Sequence, residues 1–122
     1  MKQTYETGLW GEDAAEKYLV RTFGMIPLEH RYRTRCGEID LIMADGDTIV
    51  FVEVKTRKTG GHGNGLAAVN TEKQKRITKA AVLYLMKKNW MKKAVRFDLV
   101  EIYEGEILHI PNAFKPYGSF RY

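Results

Sequence analysis

The feature that most constrains this chain is the pair of apolar runs in Gly37 to Lys58, "GEIDLIMADGDTIVFVEVKTRK". Both runs are rich in β-branched and aromatic residues, and between them lies Asp45-Gly46, the strongest short turn signal in the sequence. The segment therefore reads as an antiparallel hairpin, with strands at about Glu38 to Ala44 and Thr48 to Thr56. Alternation puts Ile49, Phe51, Glu53 and Lys55 on one face of the second strand and Val50, Val52 and Val54 on the other. A glutamate and a lysine inside such a strand mark either solvated positions on an edge or a site that the sheet presents. If Asp45-Gly46 is the whole turn, Asp40 falls opposite Phe51 and Glu38 opposite Glu53. Asp40 and Glu53 are then diagonal neighbours on one face, about 7–8 Å apart at the backbone. A three-residue turn would send Asp40 to the other face.

The rest of the chain supplies the elements around this hairpin. Ala14, Ala15, Tyr18, Leu19 and Phe23 recur at helical steps and predict a first helix from about Tyr5 to Phe23. Glu12 falls on or beside that apolar stripe, which places it at the rim of the core or in a site. Gly24 stops the helix, and a further strand between Ile26 and Tyr32 is left open. Thr59 to Leu66, "TGGHGNGL", reads as a hinge or flap. Its glycines lack the lysine of a phosphate loop. A second helix starts at Thr71 with the capping box "TEKQ" and carries Ile77, Ala80, Ala81, Tyr84 and Leu85 on its apolar face. Strands follow near Val95 to Tyr103 and Ile107 to Ile110, and "PNAFKPYGSFRY" reads as a tail. This order predicts an α/β fold, one mixed central sheet flanked by helices.

At 122 residues the chain reads as one domain, and its 44% apolar and 29% charged residues exclude a disordered chain. No apolar run approaches the ~20 residues of a membrane-spanning helix. Acidic residues interrupt any signal sequence near the start, so the expected location is cytoplasmic. The single cysteine, Cys36, excludes an internal disulfide framework and fits a reducing compartment. His30, His62 and His109 lack zinc-ligand spacing. Trp10 and Trp90 read as core or interface residues. Asp98 shares a strand face with Arg96, which predicts an ion pair, with support of a nearby site as the alternative.

The net charge of +5 favours a polyanionic partner, and its distribution says more. Arg31, Arg33 and Arg35 precede the hairpin, Arg57 follows it, and Lys73, Lys75 and Arg76 crowd the second helix start. Basic groups on both sides of an acidic cluster are solvated faces or phosphate contacts that give affinity without sequence readout. The acidic cluster itself needs a counter-charge, because neighbouring carboxylates raise one another's pKa. A hard divalent cation takes oxygen ligands and leaves positions for water and a phosphate oxygen. With Lys55 one pleat from Glu53, these groups suit metal-assisted hydrolysis of a phosphodiester.

Asp40 followed by Glu53-Val54-Lys55 on the next strand resembles the array of the PD-(D/E)-x-K nuclease superfamily, which includes the Holliday-junction resolvases. More narrowly, "GEDAAEKYL", "GEIDLI", "FVEVKTR", "KQKRI", "RFDLV" and "IPNAF" look like the YraN-type bacterial proteins, in order and over nearly the whole chain. The resemblance implies a restriction-endonuclease-like fold and a magnesium or manganese site made by Asp40, Glu53 and the carbonyl of Val54. It implies Lys55 as the catalytic lysine and Glu12 as a further acidic ligand from the first helix. Gln74 or Lys73 corresponds to a polar residue that some members bring from the following helix. Ile39 stands where the superfamily name has proline. Glu38 and Asp98 are candidates for support of the site. The function expected is nucleic-acid binding with cleavage of DNA, branched or flapped DNA included, by a protein that at this size acts as a homodimer. The alternative is a non-catalytic DNA-binding module or an adaptor of a DNA-processing complex.

Overall fold

The computed structural model describes residues 3–57 and 69–116. The chain runs α1 (Gln3–Phe23), β1 (Ile26–Arg33), β2 (Glu38–Asp45), β3 (Thr48–Arg57), α2 (Thr71–Lys88), β4 (Val95–Tyr103) and β5 (Glu106–Phe114). The strands form one sheet in the order β1-β2-β3-β4-β5. All neighbours are antiparallel except β3 and β4, which the crossover through α2 makes parallel. This is the α/β architecture that the sequence predicts, a mixed central sheet flanked by helices, and it is consistent with a restriction-endonuclease-like arrangement. The open stretch after Gly24 is a full strand, β1. The glycine-rich stretch with His62, and the end of the tail from residue 117, lie outside the described residues.

The two faces of the sheet carry separate cores. On one, Ala15 and Leu19 of α1 pack against Leu41, Met43, Val50, Val52, Val100 and Ile102. On the other, Ile77, Ala80, Ala81, Tyr84 and Leu85 of α2 pack against Ile42, Ile49, Phe51, Phe97 and Leu99. The 3.6-residue and two-residue periods read from the sequence meet here as predicted. Phe23 is the exception on α1, 47% exposed with its ring against Tyr18 and His109. Trp90 packs on Tyr84, whereas Trp10 is 52% exposed and outside the core.

Three expectations are corrected. The hairpin turn is Gly46-Asp47, because Asp45 pairs with Thr48 and Ala44 with Ile49. Asp45 stays in β2 and accepts a 3.1 Å hydrogen bond from Arg96 Nη1. The N-cap of α2 is Asn70 rather than Thr71. Its side chain accepts the Lys73 N–H at 2.9 Å, one of the backbone donors that a helix start leaves unpaired. Finally, β5 continues through Pro111 to Phe114, so the tail starts later than its composition suggests. A register shift opposite Asp98 makes this continuation workable: the Asn112 N–H, at φ 52°, donates to the Asp98 carboxylate. Phe114 then stacks on Phe97, with ring centroids 5.1 Å apart.

Candidate functional site

The site grows from an irregularity in the two strands before the hairpin turn. On β1, His30 faces α1, where it contacts Glu16, while Tyr32 faces α2 and meets Tyr84. On β2, Leu41 belongs to the α1 core and Ile39 to the α2 core. Residues two apart should share a face. Both strands therefore switch faces between these positions, at Arg31 on β1 and Asp40 on β2. Arg31 has φ 48°, the left-handed region that side chains other than glycine rarely enter.

The same irregularity ends the β2–β3 ladder. Its last paired residues are Leu41 and Val52. Beyond them the Val54 N–H donates to Asp40 Oδ2 at 2.8 Å in place of a strand carbonyl. Carrying the register one residue further sets Asp40 beside Glu53, directly across and not diagonal as the Asp45-Gly46 turn implied. The Gly46-Asp47 turn moves every partner by two positions, which preserves parity and leaves the shared location of the two acids intact.

A cleft of about 250 Å³ opens at this fork, lined by Glu38, Asp40, Glu53, Lys73, Arg76 and Ile77. Gly37 lets α2 close over it, since a Cβ there would sit 2.9 Å from the Arg76 carbonyl oxygen. Glu53 is only 7% exposed and receives the Lys73 ammonium at 2.6 Å. Burial, followed by the Glu53 charge, pushes the Asp40 carboxyl up to about 7 despite the hydrogen bond from Val54. Lys55 is half-buried in the same group, and burial followed by the charge of Lys73 lowers its pKa. Burial would also lower Lys73, but its contact with Glu53 outweighs this and leaves it raised. Two carboxylates and two amines thus share a poorly solvated space, where charge interactions are stronger than at the surface.

Other predicted residues are placed differently. Glu12 lines a neighbouring cleft of about 280 Å³ with Asp13, Glu16, His30 and Arg31. Its Oε1 accepts a 2.9 Å hydrogen bond from Arg31 Nε. Gly11 holds this part of α1 down on β3, because a Cβ there would fall 2.1 Å from Thr56 Oγ1. Arg33 pairs with Glu38 at 2.5 Å, Arg57 with Glu101 at 3.6 Å and Lys75 with Glu72 at 3.6 Å. Arg35 and Arg76 are exposed. Gln74 donates to the Val69 carbonyl at 2.9 Å, so of the two helix candidates Lys73 is the one that reaches the acidic pair. Asp98 does form the predicted ion pair with Arg96, at 3.0 Å, and also meets His109 at 2.7 Å. It does not support the acidic pair. It follows the parity of Val100, which belongs to the α1 core, on the opposite side of the sheet.

Like Glu38, Lys73 is tied to the acidic site only loosely by the sequence. Its signal was its place in the first turn of the helix that follows the E-x-K strand. The role of Arg31 as the partner of Glu12 had no local signal, because it depends on a left-handed residue in an open strand.

Fold and cleft together define a three-layer α/β domain with an acidic pair and two lysines at a fork in its central sheet. The chain belongs to the uncharacterised protein family UPF0102, which it matches over residues 11–102. A UPF0102 protein of Geobacter metallireducens is 46% identical over 112 residues, covering 88% of this chain and 91% of its own. One of Persephonella marina is 43% identical over 107 residues, with the same coverage. Among solved structures, the crystal structure of SSO0001 aligns with a TM-score of 0.46 at 14% identity. The alignment covers 89% of this chain and 52% of that one, so this chain spans about half its length.

Proposed function

We propose that this protein binds nucleic acid and hydrolyses the phosphodiester backbone of DNA with magnesium or manganese. The observation that carries this reading is the Asp40–Glu53 pair in one cleft with Lys73, and with Lys55 in electrostatic contact with that group. The donors fit a hard cation: they are carboxylate oxygens, and the burial and Glu53 charge that raise Asp40 are what a divalent charge offsets. Asp40 and Glu53 would hold the ion with the Val54 carbonyl, and Glu12 would join them from α1. When bound, the ion supplies Lewis acidity toward the phosphoryl group and toward water. Lys55, beside the acidic pair, would orient the attacking water. Lys73 offers its ammonium to the charge that builds on phosphorus. The exposed guanidinium groups of Arg35 and Arg76 hold flanking phosphates. Action on branched or flapped DNA by a homodimer in the cytoplasm completes the proposal.

A second reading has a specific observation in its favour. Lys73 already neutralises Glu53, and Arg31 neutralises Glu12, so the acids are compensated by the chain itself. A DNA-binding module that does not turn over would keep such a balanced site. Incubation with single-stranded, duplex, flapped and four-way-junction DNA in magnesium or manganese separates the two. The nuclease cuts at least one substrate, and Glu53→Ala and Lys55→Ala each lower the rate by about 100-fold or more. Cutting that survives both substitutions sinks the assignment. Salt-sensitive binding without cutting supports the module.

A further inference from the structure

We propose that Arg31 is an internal counter-cation that competes with a divalent ion for Glu12. The inference rests on the nuclease reading of the cleft and concerns how its ion binding is regulated. The pairings His30 with Leu41 and Tyr32 with Ile39 put Arg31 across from Asp40, in one cross-strand row with Asp40 and Glu53. A regular strand would keep alternation through Arg31, but its φ of 48° breaks it. Such conformations are costly and persist where the surroundings enforce them. The guanidinium donates to Glu12 Oε1 at 2.9 Å, and the Glu12 side chain is only 17% exposed. Arg31 also senses the charges of Glu38 and Asp40. It therefore stands between the helix acid and the strand acids.

The consequence is a divided ligand set. Among the described residues, no three acidic, histidine or cysteine side chains gather closely enough to hold a metal ion. Asp40 and Glu53 meet in one cleft while Glu12 lines the next with Arg31. An ion that recruits Glu12 must displace a guanidinium whose charge, unlike that of a lysine or histidine, cannot be lost by deprotonation. Arg33 makes a useful contrast. It pairs with Glu38 with side chains 74% and 41% exposed, a surface ion pair of the kind that contributes little.

Manganese titration of the metal-free full chain by calorimetry tests this without any cleavage readout. Arg31→Gln is expected to tighten manganese binding about three- to tenfold, and Arg33→Gln to change it less than about twofold. In a Glu12→Gln background the effect of Arg31→Gln shrinks, because the contested oxygen is gone and only the longer-range charge of Arg31 toward Glu38 and Asp40 remains. Glu12→Gln alone weakens binding about three- to tenfold, a partial loss because the arginine already engages that carboxylate. This arm stands even if Arg31→Gln fails to fold. Unchanged or weaker binding by Arg31→Gln overturns the proposal, as does equal tightening with Glu12 absent or a loss above about tenfold in Glu12→Gln alone. Glu53→Gln separates the two ideas. Manganese binding that needs Glu53 but ignores Arg31 leaves the nuclease reading standing and removes this one. Absence of manganese binding in every variant removes both.

Discussion

Asp40 carries a charge that the fold itself opposes. Its carboxyl ionises at about 7 in the folded protein, against an ordinary value near 3.8, because burial and Glu53 oppose its charge. A raised carboxyl costs nothing below its unfolded pKa, where both states are protonated. The cost grows as pH rises from about 4 toward 7 and is complete above that. Asp40→Asn removes the charge and can still accept the Val54 N–H. The variant should therefore melt higher than the parent by at least about 4 °C at pH 8 without divalent ions, and nearly equally at pH 4. Equal gaps at both pH values, measured by differential scanning calorimetry, would show that Asp40 is not the group under strain. Glu53 lines the same cleft, with the Lys73 ammonium 2.6 Å away.

At the scale of elements, the fork between β2 and β3 and the fastening of β5 use one device: an aspartate accepts a backbone N–H where a ladder becomes irregular. Asp98 is fully buried. Burial alone would raise its carboxyl, but hydrogen bonds from His109, Arg96 and the Asn112 N–H outweigh this and hold it below the usual range. The sign is opposite to that of Asp40. The stability Asp98 contributes is present above the ordinary carboxylate pKa and is lost as pH falls through the lower folded value. Asp98→Asn should cost about 3 kcal/mol at pH 7, because a buried charge pair loses one partner. The gap between variant and parent should close as pH drops below about 4. Urea melts at the two pH values measure this, and a constant gap would contradict it.

On the scale of the whole molecule, no described helix is long and apolar enough to cross a membrane. The chain carries a net charge of +5, and it exposes arginines in the β1–β2 connection and on α2, the latter at the acidic cleft. If that surface holds a DNA backbone, affinity falls linearly in log–log form with salt, by a slope of about 0.9 per phosphate contacted. Arg76→Ala should flatten the slope by about one and weaken binding alike on unrelated sequences. Fluorescence anisotropy from about 50 to 200 mM salt reads both effects. Binding that ignores salt would point away from the backbone and toward an adaptor role.

Much of this protein was legible before folding. The hairpin, the apolar faces of α1 and α2, and the meeting of Asp40 with Glu53 follow from turn chemistry and from periods of two and 3.6 residues. Those signals lie within a few residues of one another, so a single chain carries them. The structure sets the turn one residue later than Asp45-Gly46, and the resulting two-position shift in register preserves parity, so the acidic pair keeps its place. Tertiary structure decided that Lys73 meets Glu53 and Arg31 meets Glu12, and that Asp98 lies on the far side of the sheet. Alternation predicts faces only while a strand stays regular, and at Arg31 and Asp40 it does not. The counter-charges come from residues 19 or 20 positions away, as 31 − 12 and 73 − 53 show, and no local pattern spans that distance.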